Sequence, residues 1–181
     1  MIVYTIGHST RSIDDFFALL EREEIRRLHD VRAFPGSRRH PQFNRETLSR
    51  FLESKGITYV HTPELGGRRR PRADAPPTAW RNEGFAGYAD YMRTPEFHAA
   101  IDSLIDAASR ERTTIMCSEA VPWRCHRSLI ADALTARRVE VRHILDASTS
   151  VHQITSFAVI DGTEVTYPPA PEQQELGLGR L

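Results

Sequence analysis

The sequence has little of what marks several large classes of protein. Its two cysteines, Cys117 and Cys125, are too few for the disulfide framework of a small secreted domain. No apolar run approaches the roughly 20 residues that a membrane-spanning helix needs. The first residues include neither the basic segment nor the cleavage site of a secretory signal. We therefore expect a cytoplasmic protein without a membrane partner.

Net charge is also absent, because 24 basic side chains balance 24 acidic ones. This balance excludes a uniformly basic, histone-like protein. The charges are unevenly distributed, however, since residues 32–72 carry nine arginines and one lysine against three glutamates. Lys55 is the only lysine, so the arginine content partly reflects a general preference for this residue. The local excess of positive charge nevertheless indicates an anionic partner.

Strand-like and helix-like patterns alternate along the chain. Short apolar and β-branched runs predict strands at residues 2–6, 26–31, 57–60, 113–116 and 139–145. Helix starts at Ser12, Asn44 and Thr94, and a helical pattern over residues 125–138, fall between them. This order predicts an α/β fold, with a mostly parallel sheet of about five strands and helices on both faces.

The last part of the chain differs from this pattern. The pair Asp161-Gly162 predicts the type I′ turn of a small C-terminal hairpin. We expect one domain over residues 1–168 and a flexible tail over residues 169–181.

Polar side chains follow four of the predicted strands. Because the carboxyl ends of parallel strands meet at one edge of a sheet, where ligands bind in open α/β folds, we expect these groups to converge. Candidate catalytic residues are Cys117, Glu119, His126, Asp30 and His8. Candidate ligand-binding or phosphate-binding residues are Ser9, Arg11, Arg32, Ser37, Arg38, Cys125, Arg127 and Arg68.

The fourth cluster carries the most chemistry. Cys117 as a thiolate is a nucleophile, and Glu119 is a candidate general acid or base. Arg127 opens a helix, where free backbone N–H groups and a guanidinium suit a phosphate. The alternative for Cys117 is a small buried core thiol, and for Asp30 an ion pair that holds a loop.

Several standard sites are missing from the sequence. The spacing C-x7-C-H fits no common zinc pattern, so we predict no metal. A metal held by Cys117, Cys125, His126 and His8 is the alternative, and no residue pattern indicates a particular cofactor. Walker, GxGxxG, HExxH and GxSxG motifs do not occur. These absences argue against P-loop NTPases, ordinary dinucleotide enzymes, zincins and α/β-hydrolases.

Over roughly residues 2–146 the chain resembles the family named domain of unknown function 488. The resemblance supports the α/β fold, and it places eight of the candidate residues inside family motifs without assigning a reaction to them. The matching motifs include Thr5-Ile-Gly-His-Ser, Asp30-Val-Arg-x-Phe-Pro-x-Ser-Arg, Pro41-Gln-Phe-Asn, Leu65-Gly-Gly, Tyr88-Ala-Asp-Tyr-Met and Cys117-x-Glu-x5-Cys-His-Arg.

The end of the chain resembles a different kind of motif. Gln173, Leu176 and Leu178 are spaced like the peptides with which bacterial DNA repair and replication proteins dock on the sliding clamp, although Gly179 stands where the usual aromatic would be. The alternative is a frayed C-terminus.

Three functions agree with these observations. The first is an enzyme-like domain that binds a nucleotide or nucleic acid and acts in DNA maintenance, with Trp80, Phe85 and Trp123 as candidates for stacking on a base. The second is a small-molecule enzyme with a cysteine nucleophile, in which the basic segment forms a lid. The third is a non-catalytic adaptor for nucleic acid.

Overall fold

The computed structural model describes residues 1–146 and 148–170 of the chain. Within these residues, no helix combines the length and the apolar character needed to cross a membrane. The helices are α1 (Ile13–Arg22), α2 (Arg45–Ser54), α3 (Glu83–Tyr91), α4 (Pro95–Arg110) and α5 (Arg127–Ala136). The strands are β1 (Ile2–Gly7), β2 (Arg27–Asp30), β3 (Thr58–His61), β4 (Thr113–Cys117), β5 (Glu140–Ile144), β6 (Thr149–Val151), β7 (Val159–Asp161) and β8 (Glu164–Thr166).

Six strands form one sheet in the order β3-β2-β4-β1-β5-β6. The first five in this order are parallel to one another, and β6 runs antiparallel to β5 at the edge. Strands β7 and β8 form a separate two-stranded hairpin. The predicted α/β fold is confirmed, and β6 is a strand that the sequence pattern did not predict.

Helices cover both faces of the sheet. Successive side chains of a strand point to opposite faces, so Val3 packs with α4 and α5 whereas Tyr4 packs with α1 and α2. In β4, Ile115 and Met116 divide in the same way. The two apolar clusters explain why these central strands read as continuous apolar runs, which is the pattern of a sheet buried on both sides.

The predicted helix starts differ in how they are capped. Ser12 and Thr94 accept hydrogen bonds from the backbone N–H groups of Asp15 and Phe97, at 3.0 and 3.3 Å. Asn44 occupies the N-cap position of α2, but its side chain does not cap the helix. Its Oδ1 instead accepts a 2.6 Å hydrogen bond from the backbone N–H of Ser37 and so fixes the preceding loop.

The hairpin turn lies one residue further along than the sequence predicted. Asp161 still belongs to β7, where it pairs with Glu164, so the two loop residues are Gly162 and Thr163. The positive φ of 59° falls on Gly162, the first loop residue. A glycine with positive φ at this position is typical of a type II′ turn rather than the predicted type I′.

A buried carboxylate joins α5 to the segment after the sheet. Asp132 is fully buried, and its Oδ1 accepts a 2.8 Å hydrogen bond from His152 Nε2. Thr155 donates to it from both its backbone N–H and its hydroxyl, and the Tyr167 hydroxyl donates at 2.8 Å. Four donors thus satisfy one buried anion, as a buried charge requires.

Candidate functional site

A cleft opens at the carboxyl edge of the sheet. Strands β1 and β2 lead to helices on one face of the sheet, whereas β4, which lies between them, leads to α5 on the other face. Neighbouring connections that diverge in this way leave a crevice at the strand ends. The cleft measures about 720 Å³.

The cleft brings most of the candidate residues together. Four of the predicted residues, Arg11, Asp30, Arg38 and Arg127, do not line it. Those that do are His8, Ser9, Arg32, Ser37, Arg68, Cys117, Glu119, Cys125 and His126.

Behind one wall of the cleft lies a set of polar groups that bond to each other, which we call the buried frame: Asp30, Arg32, Tyr59 and His8. Of these, His8 and Arg32 reach the cleft. Asp30 is fully buried and accepts hydrogen bonds from Arg32 Nε at 2.8 Å, Arg32 Nη2 at 2.5 Å and the Tyr59 hydroxyl at 2.6 Å. Arg32 Nη2 also donates to the carbonyl of Phe43 at 2.8 Å. Asp30 therefore orients Arg32 and does not reach a ligand itself.

His8 is held as a neutral imidazole within this frame. Its Nδ1 lies 2.9 Å from the carbonyl of Ser9, and its Nε2 lies 3.3 Å from Arg32 Nη1. Since both partners fix their roles, Nδ1 carries the proton and Nε2 accepts from the guanidinium. Burial, with a contribution from Arg32, lowers the pKa of His8 to about 4. The basic nitrogen of His8, Nε2, thus already accepts a hydrogen bond from Arg32.

The floor of the cleft is formed by Cys117, Cys125 and His126, which we call the sulfur cluster. Cys117 ends the buried strand β4, and Cys125 follows a single turn of 3₁₀ helix, Pro122–Arg124. His126 Nδ1 lies 3.6 Å from Cys125 Sγ and 4.0 Å from Cys117 Sγ. His126 Nε2 lies 3.3 Å from the carbonyl of Val31, which makes it the N–H donor and leaves a lone pair on Nδ1.

The two thiols differ in acidity. The neighbouring Cys125 sulfur, together with burial, raises the pKa of Cys117. The same proximity lowers the pKa of Cys125, and the charge and backbone N–H of Arg127 act in the same direction. Sequence reasoning singled out Cys117 as the thiolate; the surroundings favour Cys125 because only this sulfur lies beside a buried cation.

Arg127 supports the loop after β4 from below. Its side chain is 1% exposed, and Nη2 donates to the carbonyl of Glu119 at 2.5 Å. Gly7 lies beneath the same loop, where a Cβ would come within 1.7 Å of that carbonyl oxygen. The predicted role of Arg127 as a phosphate ligand does not match this position, because the side chain is buried and its Nη2 donates to backbone carbonyls of the loop. Through this hydrogen bond Arg127 holds the backbone of Glu119, whose exposed side chain lines the cleft.

Comparison with known proteins identifies the family to which this fold and cleft belong. A family model described as Domain of unknown function DUF488 matches residues 12–134, more than half of the chain. The chain belongs to the DUF488 family. No curated protein and no solved structure matches it. The family model spans Asp30, Arg32 and the whole sulfur cluster, while His8 lies just before it.

Two further predicted residues lie away from the cleft of this DUF488 protein. Arg11 donates to the carbonyl of Gly7 and forms an ion pair with Asp146 at 2.6 Å. Arg38 is exposed and does not line the cleft. The clamp-like residues Gln173, Leu176 and Leu178 lie outside the described residues.

Much of the basic segment has partners within the protein. The Arg69 guanidinium stacks over the Tyr91 ring, 3.8 Å from its centre, and donates to nearby carbonyls. Arg72 forms a 2.8 Å ion pair with Asp90, which is 6% exposed. Arg68 is different, because it lines the cleft and lies over Phe34. Of the four arginines in residues 68–72, Arg68 is thus the one that lines the cleft.

The cleft also contains residues that sequence reasoning did not select as site residues. Arg124, Asn82 and His40 line it, and so does Phe34, which is 72% exposed. Arg124 lies directly before the predicted residues Cys125 and His126, so the sequence offered a signal for it. Asn82 falls between the arginine-rich segment and the motif that begins at Tyr88, and it belongs to no motif itself. Of the aromatic residues considered for stacking on a base, Phe85 lines the cleft and Trp123 is exposed outside it. The ring of Trp80 stacks on that of Phe85, with 4.7 Å between the two ring centres.

Proposed function

We propose that this DUF488 protein is an enzyme that binds an anionic ligand of nucleotide size and acts on it at the sulfur cluster. The observation that carries the proposal is that one cleft combines guanidinium groups on its walls with two thiols and an imidazole on its floor. Pockets that combine shape, convergent polar groups and ionisable residues are the usual places of ligand binding and chemistry.

The charge of the lining supports an anionic ligand. Arg32, Arg68 and Arg124 line the cleft, and Glu119 is its only acidic lining residue among the parts of the chain that the structure describes. Arg32 is already paired with Asp30, so Arg68 and Arg124 supply the charge for a ligand. Guanidinium groups suit phosphates and carboxylates because they donate two parallel hydrogen bonds.

The size and aromatic content of the cleft support a ligand with a ring. A volume of about 720 Å³ exceeds what a lone phosphate would fill and suits a molecule of nucleotide size. Phe34 and Phe85 both line it, and each offers an aromatic face next to polar groups. A base or similar ring between such side chains would add stacking to the ionic contacts.

We assign the chemistry to the floor of the cleft because its thiols and imidazole still have atoms that can bond to a ligand. The imidazole of His126 presents Nδ1 to two sulfur atoms, and all three ligand atoms lie within 4.8 Å of one another. In contrast, the potential base His8 already accepts from Arg32. Glu119, in the same cleft, is the carboxylate available for proton transfer.

Single-stranded nucleic acid is the second candidate ligand. The observation in its favour is Trp123, which is 65% exposed and directly precedes the cleft residue Arg124. Exposed aromatic and basic side chains side by side are typical of surfaces that stack bases and contact phosphates. A role in DNA maintenance and docking on a sliding clamp stay predictions from the sequence of the tail.

Isothermal titration calorimetry with AMP and with adenosine tests the leading candidate. We expect AMP to bind and adenosine to bind at least roughly tenfold more weakly, since a hydrogen bond to a charged group contributes about 1.5–3 kcal/mol. Arg68→Ala should weaken AMP binding by a similar factor. The matched control is Arg50→Ala, which removes an equal charge from an exposed position on α2.

The same titration with UMP, ribose 5-phosphate and a short oligothymidylate decides between the candidates. Binding of the oligonucleotide alone, falling steeply with salt, would favour the second candidate. If no phosphorylated compound binds, or if Arg68→Ala and Arg50→Ala are equally affected, the proposed anionic cleft is wrong.

A further inference from the structure

We propose that the sulfur cluster is a zinc site, with Cys117 Sγ, Cys125 Sγ and His126 Nδ1 as ligands and the fourth position open to the cleft. The three atoms lie within 4.8 Å of one another, and all three residues line the cleft. Two thiolates and an imidazole are the donors that favour zinc over magnesium or calcium.

The spacing of the donors matches a tetrahedral centre. Zinc bonds of about 2.3 Å to sulfur and about 2.0–2.1 Å to nitrogen place the two ligand atoms about 3.6 Å apart at a tetrahedral angle. The observed distances from His126 Nδ1 are 3.6 Å to Cys125 Sγ and 4.0 Å to Cys117 Sγ. Small adjustments of the side chains therefore suffice to place one ion among them.

The surroundings of His126 hold its ring as a metal ligand. Its Nε2–H points to the carbonyl of Val31 at 3.3 Å, so the lone pair lies on Nδ1 and faces the sulfurs. Partners of this kind fix the tautomer and orientation of metal-binding histidines. The distances of 3.6 Å to Cys125 Sγ and 4.0 Å to Cys117 Sγ place this lone pair beside both sulfur atoms.

Gly67 lets the loop after β3 pass against the ring of His126. A Cβ at position 67 would lie 2.8 Å from Nδ1 and 3.2 Å from both carbon atoms bonded to it, so it would stand over the face of the ring. The glycine therefore permits a close backbone contact that holds the ring in place. The lone pair of Nδ1 lies in the plane of the ring and stays directed at the sulfurs.

The arrangement is that of a catalytic metal rather than a structural one. Structural zinc sites have four protein ligands, whereas catalytic sites have three and keep a position for water or substrate. Here the open side is the cleft, where Arg68 and Arg124 would hold an anionic ligand. An oxygen of that ligand, or a water molecule, would complete the coordination.

Metal binding does not depend on the proposed ligand, because it is measured on the protein alone. The chain is produced in zinc-supplemented medium, purified without chelators and analysed by inductively coupled plasma mass spectrometry. We expect about one zinc per chain. After removal of zinc, Co²⁺ should give the intense thiolate-to-metal band and the visible spectrum of a tetrahedral site.

Variants identify the ligands. Cys117→Ser, Cys125→Ser and His126→Gln should each lower metal affinity by roughly tenfold or more, since even outer partners of metal ligands contribute that much. Ser118→Ala, beside Cys117 but not a proposed ligand, is the matched control and should retain the metal. Circular dichroism of each variant separates loss of metal from loss of fold.

Three results would overturn the inference. The first is wild-type protein that contains no zinc and shows no tetrahedral cobalt spectrum. The second is metal that remains at full occupancy in folded Cys125→Ser. The third is equal loss in Ser118→Ala. If the wild-type protein takes up neither zinc nor cobalt but still binds AMP, the proposed function stands and the zinc site alone is removed.

Discussion

The two sides of the cleft both consist of polar and ionisable groups, yet these groups are bonded differently. In the buried frame, Asp30 receives three side-chain hydrogen bonds of 2.5–2.8 Å, and Arg32 is shared among a carboxylate, a carbonyl and an imidazole. In the sulfur cluster His126 Nδ1 lies 3.6 and 4.0 Å from two thiols, which are weak hydrogen-bond donors and acceptors. The frame is therefore held by strong charge-assisted hydrogen bonds, whereas the cluster contains weakly bonded groups that a ligand can recruit.

The two groups of residues should therefore contribute differently to stability and to ligand binding. A buried ion pair whose groups are all bonded contributes rigidity, and removing one partner is costly. Groups that are close but weakly bonded contribute little to stability and are available to a ligand. Substitutions on the frame should therefore change stability most, whereas substitutions in the sulfur cluster should change binding.

The largest effect is expected from Asp30→Ala. The Arg32 guanidinium, whose side chain is 7% exposed, would lose its carboxylate and stay buried. We expect the free energy of unfolding in urea to fall by about 3–5 kcal/mol. Asp146→Ala is the matched control, because the Asp146 side chain is 84% exposed in its pair with Arg11 and should cost at most about 1 kcal/mol. Equal losses would contradict the distinction between the two sides.

An intermediate effect is expected from pH, through His29 of β2, which directly precedes Asp30. Burial, and to a lesser extent Arg27, lowers the pKa of His29 to about 4. The unfolded chain takes up this proton near pH 6.5. Between these values the unfolded state binds more protons, so stability should fall as pH falls from 6.5 to 4, by up to about 3 kcal/mol for this residue.

The variant His29→Asn isolates this contribution. An asparagine amide reaches Thr62, the partner of His29 Nδ1, but does not titrate in this range. Urea unfolding at several pH values should show a weaker pH dependence in the variant than in the wild type. If stability depends on pH equally in the variant and the wild type, His29 takes up its proton at the same pH in the folded protein as in the unfolded chain.

The smallest of the three effects is expected from Gly7→Ala, which tests how the loop over β1 is held. A Cβ there would meet the carbonyl oxygen of Glu119 at 1.7 Å, so the loop must shift. We expect a loss of about 1–3 kcal/mol. Gly36→Ala, where a Cβ meets nothing within 4 Å, should stay within about 0.5 kcal/mol. A tolerated Gly7→Ala would show that this loop is not fixed from below.

The sequence allowed the architecture and most of the cleft to be predicted. Apolar runs marked the five parallel strands because a sheet covered on both faces needs apolar side chains on both sides. The rule that the carboxyl ends of parallel strands meet at one edge of the sheet then grouped His8, Arg32 and Cys117. The starts of α1 and α4 could be predicted because capping depends only on neighbouring residues.

What could not be predicted depends on contacts between distant parts of the chain. The direction of the Arg127 side chain follows from where the loop at Glu119 passes, and the side chain of Asn44 is diverted by Ser37. The acidity of Cys125 relative to Cys117 depends on which sulfur adjoins Arg127. The adjacent positions of Cys125 and His126, two of the proposed ligands, also match no common zinc spacing, so the site could not be recognised from a motif.

The bonding of Asp132 bears on where this chain can be shortened or joined to another. All four of its donors come from Thr155, His152 and Tyr167, which follow the segment matched by the family model. A chain that ends at residue 146 would keep every strand of the parallel sheet but leave this carboxylate inside α5 without any of them. For anyone choosing boundaries for expression or fusion, the family match is therefore too short a guide, and a working fragment has to extend past Tyr167.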